Sequence, residues 1–136
     1  MATMPRVQAV ALPILRAALP DDVKVGSWVE DIDYRTFPMV NIRRVGGPRH
    51  ETRPEKLALP VIEMTAYGRE GLVETEKLYE DALQALYDAV KHQTQTPAGY
   101  LHSIKETMGA TQFSSLFQDS WRVQGLIQLG VRPPRS

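Results

Sequence analysis

Two stretches of the chain repeat apolar residues at the spacing of an α-helix. The clearer one runs from about Leu72 to His92, with an apolar stripe on one side and charged residues mostly on the other. Its acidic residues come early and its basic residues late, which also matches the helix dipole. The other stretch runs from Val7 to Ala18 and contains Pro13, so either a helix kinks there or a short helix begins at Pro13. We therefore predict two amphipathic helices.

Alternating or continuous apolar residues predict five strands in the rest of the chain. We place them at about 23–29, 37–45, 57–66, 100–108 and 121–129. The third is almost continuously apolar, as in a central strand with both faces covered; alternatively, a neighbouring subunit buries one of its faces. The predicted order is α-β-β-β-α-β-β. This order favours an α+β fold in which two helices pack on one face of a mainly antiparallel sheet of four to five strands.

The stretch from 46 to 55 is almost devoid of apolar residues. It cannot bury itself, so we expect an exposed arm or long hairpin loop at about 46–56. A Pro-Pro pair at 133–134 closes the ordered chain and leaves a short disordered tail at about 132–136. A chain of 136 residues, 43% of them apolar, is long enough for one hydrophobic core. We expect a single domain spanning residues 1–136.

The stretch from 109 to 119 is predicted to connect the last two strands. It carries three large apolar residues, Phe113, Leu116 and Phe117. They either belong to the core or form an apolar loop that contacts a neighbour. The sheet face away from the helices poses a similar question, because Leu126 is predicted to lie there among Arg122 and two glutamines. An apolar side chain in that setting suggests a partner.

Charge and cysteine content argue against several classes of function. Sixteen basic side chains balance sixteen acidic ones, whereas a protein that wraps nucleic acid usually carries a basic excess. Without cysteine, the sequence offers neither disulfides nor thiolate metal sites nor a cysteine nucleophile. No apolar run approaches the length needed to span a bilayer, so we expect a soluble protein without a membrane partner.

Residue patterns that carry enzyme chemistry are sparse in this sequence. The histidines are far apart and outside any metal-ligand motif; they are His50, His92 and His102. The sequence has no Gly-x-Ser-x-Gly elbow. Carboxylate pairs at 21–22 and 31/33 are of a type that binds cations or transfers protons, but a polar turn and a solvated strand edge explain them better. We therefore predict no catalytic residues, no metal site and no cofactor.

Basic residues gather around the predicted arm. They are Arg43, Arg44, Arg49, His50 and Arg53. The glycines at 46 and 47 beside them form a crude anion nest, yet no helix follows whose N-terminus would face a phosphate. We favour an exposed hairpin tip with solvating charges over contact with DNA phosphates or an acidic partner surface.

Three stretches, in order, resemble the tail terminator (tail completion) proteins of long-tailed siphophages, particularly those that infect actinobacteria. They are FPMVNIRRVGG at 37–47, LPVIEMTAYGR at 59–69 and WRVQGLIQL at 121–129. Together with the opening helix, the resemblance covers most of the chain. It implies a structural virion protein at the head-proximal end of the tail, present in the host cytoplasm during assembly. It implies no catalytic residues.

The resemblance also implies assembly. Such proteins form a ring, usually a hexamer, on the last ring of the tail tube, end its polymerisation and present the surface that docks to the head. The implied partners are further copies, the tail tube protein, a head–tail connector or stopper protein, and genomic DNA that passes through the lumen without sequence-specific binding. The neutral overall charge is consistent with a conduit, because strong attraction would slow DNA passage.

A cyclic ring joins two different surfaces of each subunit. We expect these surfaces to come from the arm, the sheet face away from the helices and the connection at 109–119. The candidate contact residues are Arg43, Arg44, Arg49, His50, Arg53, Phe113, Leu116, Phe117, Arg122 and Leu126. Two other functions stay open: another neck protein, such as a connector or stopper, and a small ferredoxin-like ligand-binding domain or enzyme.

Overall fold

The structure, a computed structural model, describes residues 4–27, 38–113 and 120–135. Its elements are helix α1 (Val7–Ala18), strands β1 (Lys24–Gly26), β2 (Met39–Gly46) and β3 (Val61–Gly68), helix α2 (Leu72–His92), and strands β4 (Tyr100–Phe113) and β5 (Trp121–Arg132). These strands form one sheet in the order β1-β2-β3-β5-β4. Strands β1 and β2 are parallel, and every other neighbouring pair is antiparallel. The predicted α+β class and element order are confirmed.

Both predicted helices form. Helix α1 runs without interruption through Pro13, which is exposed, so the alternative of a short helix that begins at Pro13 is wrong. Proline removes one N–H donor from the helix, and the loss is tolerated here because burial of the apolar stripe holds the helix in place. That stripe consists of Val7, Val10, Ala11, Ile14 and Leu15.

Helix α2 has the predicted bounds. It begins after Gly71, whose φ of 153° falls in a region that favours glycine, and the hydroxyl of Thr75 donates to the Gly71 carbonyl at 2.7 Å. It ends at His92. The next residue, Gln93, adopts the left-handed conformation and donates its N–H to the carbonyls of Ala89 and Val90. Both ends are therefore fixed by local hydrogen bonds, in addition to the burial of one helix face.

The core lies between the two helices and one face of the sheet. Its largest strand residues are Ile42, Ile62, Met64, Leu101, Ile127 and Leu129, all fully buried. Strand β3 also buries Thr65 and Tyr67, which alternate with the core residues and thus lie on the other face. Strand β3 is therefore covered on both faces near its end, as the first of the two sequence-based alternatives proposed.

Several strand boundaries differ from the predictions, and the simplest case is β5, which continues to Arg132 instead of 129. Strand β1 has three residues instead of seven, and residues 28–37, with the acidic stretch at 30–33, lie outside the described part of the chain. Strand β3 begins at Val61 instead of 57, because Pro60 has no N–H to continue the ladder and only Ala58 forms a bridge before it. Strand β4 continues to Phe113, so the predicted connection is wrong for residues 109–113.

The extension of β4 was missed because four of its five residues are glycine, alanine or polar, and its one large apolar residue, Phe113, was assigned to the predicted connection. Residues 111–113 pair with Gln124, Val123 and Arg122 of β5 through the backbone, and backbone pairing leaves no apolar pattern on an exposed edge strand. The pairing of β4 with β5 also contains three register irregularities, between 101 and 103, between 106 and 108, and between 108 and 111. Residues 114–119, the rest of the predicted connection, are not among those that the structure describes.

Tyr79 of α2 packs directly over Gly125 of β5. The Tyr79 side chain is fully buried, and its hydroxyl has no hydrogen-bond partner among residues 4–27, 38–113 and 120–135. A Cβ atom added at Gly125 would overlap this hydroxyl and would lie 2.8 Å from the carbonyl oxygen of Met108. Burial raises the pKa of the Tyr79 hydroxyl well above its ordinary value of 10.0. Glycine is thus the residue that fits opposite this tyrosine.

This buried hydroxyl gives a prediction for Tyr79→Phe. At pH 7 we expect the substitution to be neutral or to stabilise the protein by about 1 kcal/mol, because it removes an unsatisfied polar group. Because its pKa is raised, the Tyr79 hydroxyl holds its proton more tightly in the folded state than in the unfolded state. The unfolded state therefore loses this proton first as pH rises above 10, and the protein with Tyr79 loses stability there. Urea unfolding of both proteins should therefore show a gap that widens by up to about 1.4 kcal/mol per pH unit above pH 10. A gap that stays constant would contradict it.

Candidate assembly surfaces

The predicted arm lies in the connection between β2 and β3. Arg49 and Ala58 form an antiparallel bridge, and the His50 N–H donates to the carbonyl of Leu57 at 2.9 Å. Ala58 also pairs with Val131 of β5 through two hydrogen bonds of 2.8 and 3.0 Å. The base of the connection is therefore joined to the sheet, whereas most residues from 51 to 56 are exposed.

Two of the basic candidate residues shape this connection. Arg44 donates from Nε to the Gly46 carbonyl at 3.1 Å and from Nη2 to the Gly47 carbonyl at 2.8 Å. The Nδ1 atom of His50 accepts hydrogen bonds from the N–H groups of Thr52 at 3.3 Å and Arg53 at 3.2 Å. These two hydrogen bonds hold the turn that follows His50. Arg44 and His50 therefore act on the backbone of the arm itself.

The other two basic candidate residues of the arm, Arg49 and Arg53, present their charges outward. Arg49 makes only a long contact of 3.5 Å, from Nη1 to the Pro54 carbonyl. The Arg53 side chain is exposed. Their guanidinium groups are exposed to a charged surface of another molecule, whereas Arg44 already uses two of its five N–H donors within the arm.

The sheet face away from the helices holds four more candidate residues, arranged in rows across the strands. One row joins Arg43, Glu63, Leu126 and Met108 from β2 to β4. Arg43 donates to the Glu63 carboxylate at 3.1 Å, and Leu126 is half-buried. The Arg43 side chain keeps 64% of its exposure, so this ion pair is open to solvent and contributes little to stability.

Two further rows lie beside the first. One joins Asn41, Thr65, Gln124 and Thr111, and the Thr65 hydroxyl donates to Gln124 at 3.3 Å. The next joins Met39, Tyr67, Arg122 and Phe113. The Arg122 guanidinium lies 5.2 Å from the centre of the Phe113 ring, a cation–π contact. The sheet face thus brings Arg43, Leu126, Arg122 and Phe113 together, while Leu116 and Phe117 lie outside the described residues.

The charges of the described residues are segregated along the strands, which the neutral total charge conceals. We call one end of the sheet the basic end; it comprises residues 4–6, 44–60, 91–99 and 132–135. It carries eight basic side chains, Arg6, Arg44, Arg49, Arg53, Lys56, Lys91, Arg132 and Arg135, against two carboxylates, Glu51 and Glu55. Contacts between Pro5 and Gly99, between Arg135 and Gln93, and between Ala58 and Val131 join these segments.

The opposite end, which we call the acidic end, comprises residues 20–24, 68–81 and 120–122. It carries seven carboxylates, Asp21, Asp22, Glu70, Glu74, Glu76, Glu80 and Asp81, against four basic side chains, Lys24, Arg69, Lys77 and Arg122. The pairings of Gly68 with Trp121 and of Lys24 with Met39, itself opposite Tyr67, join these segments. Sequence analysis missed this surface because its carboxylates come from separate segments that only the sheet order brings together.

A cavity of about 330 Å³ opens at the acidic end, beside the start of α2. Its apolar wall includes Pro20, Val23, Pro38 and Leu78, and its charged lining includes Asp22, Arg69, Glu70, Glu74, Lys77 and Asp81. Lys77 is already paired with Asp81 at 3.1 Å, so unpaired carboxylates dominate the charge around the opening. The cavity is of a size and charge to receive a basic side chain.

Groups suited to catalysis are not concentrated anywhere in residues 4–27, 38–113 and 120–135. No three histidine, aspartate or glutamate side chains in these ranges are placed to hold a metal ion. Tyr87 donates its hydroxyl to Glu106 at 2.8 Å, and this hydrogen bond raises the pKa of Tyr87, but both groups are exposed. Within the same ranges, neither helix combines the length and the apolar character that a membrane span requires.

Comparison with known sequences gives a family and two close relatives. The sequence model of the family described as "Phage tail termination protein" matches residues 3–136. The chain is 66% identical over 137 residues to the Gene 22 protein of Mycobacterium phage L5, and this alignment covers 100% of the chain and 99% of the relative. It is 64% identical over 137 residues to the Gene 22 protein of Mycobacterium phage D29, with the same coverage.

A solved structure has a similar fold. The match is to a chain in the structure titled "Virion of native gene transfer agent (GTA) particle", with a TM-score of 0.57 and 14% sequence identity. It covers 93% of this chain and 94% of that chain. At this level of identity the likeness shows a shared fold and nothing more.

Proposed function

The chain belongs to the phage tail termination protein family and is a structural protein of the virion, and on this basis we propose that it forms a ring that caps the tail tube. The ring ends tube polymerisation, provides the surface that docks to the head and lets DNA pass through its lumen. Its proposed partners are further copies of itself, in a hexamer, the tail tube protein on one side and a connector or stopper protein on the other. It carries out no catalysis.

The family match over residues 3–136 is the observation that carries this proposal. Because it spans nearly the whole chain, the proposed function involves residues 1–136 as one domain, with the arm at 46–56 as a contact element. A ring subunit needs two different, complementary surfaces, each burying about 800 Å² per partner. The basic and acidic ends are available for this purpose, as are the exposed residues of the sheet face away from the helices, such as Arg43.

Termination follows from such surfaces by geometry. One face of the ring matches the docking surface at the end of the tail tube, so the ring binds there. The other face lacks the surface that the next tube subunit needs, so the tube has no site at which to grow. This mechanism needs no bond to be made or broken.

Purified protein mixed with purified tail tubes tests this function. We expect negative-stain microscopy to show rings on one end of each tube, and native mass spectrometry to give a closed oligomer of six chains. Capped tubes should also fail to lengthen when tube protein is added, whereas uncapped tubes lengthen. A chain that stays monomeric and ignores tubes at every concentration would exclude the proposal. Binding to portal-bearing capsids instead of tubes would favour a connector or stopper.

A further inference from the structure

We propose that neighbouring subunits of the ring meet end to end, with the arm at the basic end of one copy seated against the cavity at the acidic end of the next. This inference rests on the proposed ring and specifies which surfaces join its subunits. The partner is a second copy of this chain, and the recognised chemistry is a cluster of guanidinium and ammonium groups opposite a cluster of carboxylates.

The separation of the charges supports a head-to-tail contact. Eight residues of β3, at about 3.3 Å each, place the two ends about 26 Å apart. This distance exceeds the Debye length of about 8 Å at physiological salt, so each end acts on a partner as a separate patch. Two basic ends repel each other, as do two acidic ends, whereas a basic and an acidic end attract. The charge pattern therefore favours heterologous contacts over two-fold symmetric ones.

Shape and apolar exposure point to the same pairing. The arm presents Arg49 and Arg53 outward, and the cavity of about 330 Å³ at the other end is lined by more carboxylates than basic groups. Each end also offers an exposed apolar residue, Val45 beside the arm at 42% exposure and Val73 beside the cavity at 73%. An apolar centre with a charged rim is the usual composition of a specific protein interface.

A second copy explains both ends at once, and DNA explains only one. Duplex DNA attracts a basic surface, but it repels the carboxylates at the acidic end. A tail tube or connector surface would have to supply an acidic patch for one end or a basic patch for the other. Further copies of this chain supply both patches in equal number, which a closed ring requires.

Charge reversal at each end provides the test. The first variant carries Arg49→Glu, Arg53→Glu and Lys56→Glu, and the second carries Glu70→Lys, Glu74→Lys and Glu76→Lys. We expect each variant alone to be monomeric by native mass spectrometry at concentrations 100-fold above those at which the unmodified chain forms rings. An equimolar mixture should form rings in which the two variants alternate. A chain with all six substitutions should also form rings, because its arm becomes acidic while the rim of its cavity becomes basic.

Controls separate loss of folding from loss of contact. Lys105→Glu reverses an exposed charge between the two ends and should leave ring formation unchanged. Thermal unfolding followed by circular dichroism checks that each variant is folded, and the mixing and six-substitution experiments restore rings only if both variants fold. Rings of the unmodified chain should also weaken as salt is raised from 0.05 to 0.5 M.

The possible failures are distinguishable. Rings formed by either triple variant alone would overturn the end-to-end contact and leave the proposed function intact. Folded variants that do not assemble when mixed would overturn it as well. A first variant that still forms rings but loses salt-dependent retention of duplex DNA would assign the basic end to DNA instead. If the unmodified chain forms no ring, with or without tail tubes, the proposed function itself fails.

Discussion

Gly125→Ala is expected to lower the free energy of unfolding by about 3 kcal/mol, which corresponds to a fall in Tm of about 10 °C. The added methyl group would overlap the Tyr79 hydroxyl and approach the Met108 carbonyl oxygen to 2.8 Å, and one of these neighbours is backbone. Alanine normally suits a strand better than glycine by about 0.5–1 kcal/mol, so the steric effect must exceed this gain. Urea unfolding at pH 7 measures the change.

Gly109→Ala is the matched control for this substitution. Gly109 lies in the neighbouring strand β4, and an added Cβ there would meet no atom within 4 Å. We expect it to be neutral or to stabilise the protein by up to about 1 kcal/mol through the unfolded state. Combining Gly125→Ala with Tyr79→Phe should recover part of the loss, because the hydroxyl overlap disappears while the Met108 contact remains. Equal stabilities for the two alanine variants would show that Tyr79 does not pack over Gly125.

Gly47→Ala is expected to destabilise the protein by about 3 kcal/mol and to displace the arm. Gly47 has a φ of 96°, which L side chains rarely adopt, and its Cβ would lie 2.6 Å from the backbone nitrogen of Val61 and 2.7 Å from the Cα of Pro60. All of these neighbours are backbone atoms at the start of β3, so they cannot move aside as a flexible side chain does. We expect ring formation to weaken along with stability.

Gly46→Ala distinguishes conformational strain from steric overlap at the base of the arm. Gly46 also has a positive φ, of 134°, but an added Cβ would meet nothing within 4 Å. Its alanine variant should lose about 1–2 kcal/mol from backbone strain alone. A loss as large as that of Gly47→Ala, measured by urea unfolding, would mean that close approach to β3 does not matter. Ring formation by this variant, measured at a concentration well above that at which half of the unmodified chain is assembled, shows whether the arm keeps its position.

The helices and the sheet core were predictable because buried positions in them carry apolar residues and exposed positions carry polar ones. The period of apolar residues located α2. Gly71 before it and the polar residues from Gln93 onward marked its two ends. The end of β4 was not predictable, because residues 111–113 pair through backbone groups and residues 109–112 are exposed, so no apolar alternation marks the strand. Pro13 left the start of α1 open in the sequence. The helix forms through it because the free energy lost with one hydrogen bond is smaller than that gained by burying five apolar side chains.

The sequence shows where the basic candidate contact residues are, but not which groups each of them contacts. The sequence shows five basic residues near the arm, and only the structure shows that Arg44 and His50 bind the arm's own backbone while Arg49 and Arg53 point outward. The acidic end was missed altogether. Its carboxylates come from 20–24 and 68–81, and no local pattern reveals that these segments lie side by side.

The irregular register of β4 has a consequence for aggregation. Strand β4 lies at the edge of the sheet, and a regular edge of 14 residues would be a template on which foreign strands stack into fibres. The longest stretch of β4 that pairs without a shift is Ser103 to Glu106. Each shift twists the edge and breaks the row of N–H and C=O groups that another strand would need. These shifts therefore protect the exposed edge of the sheet from pairing with further copies of the chain.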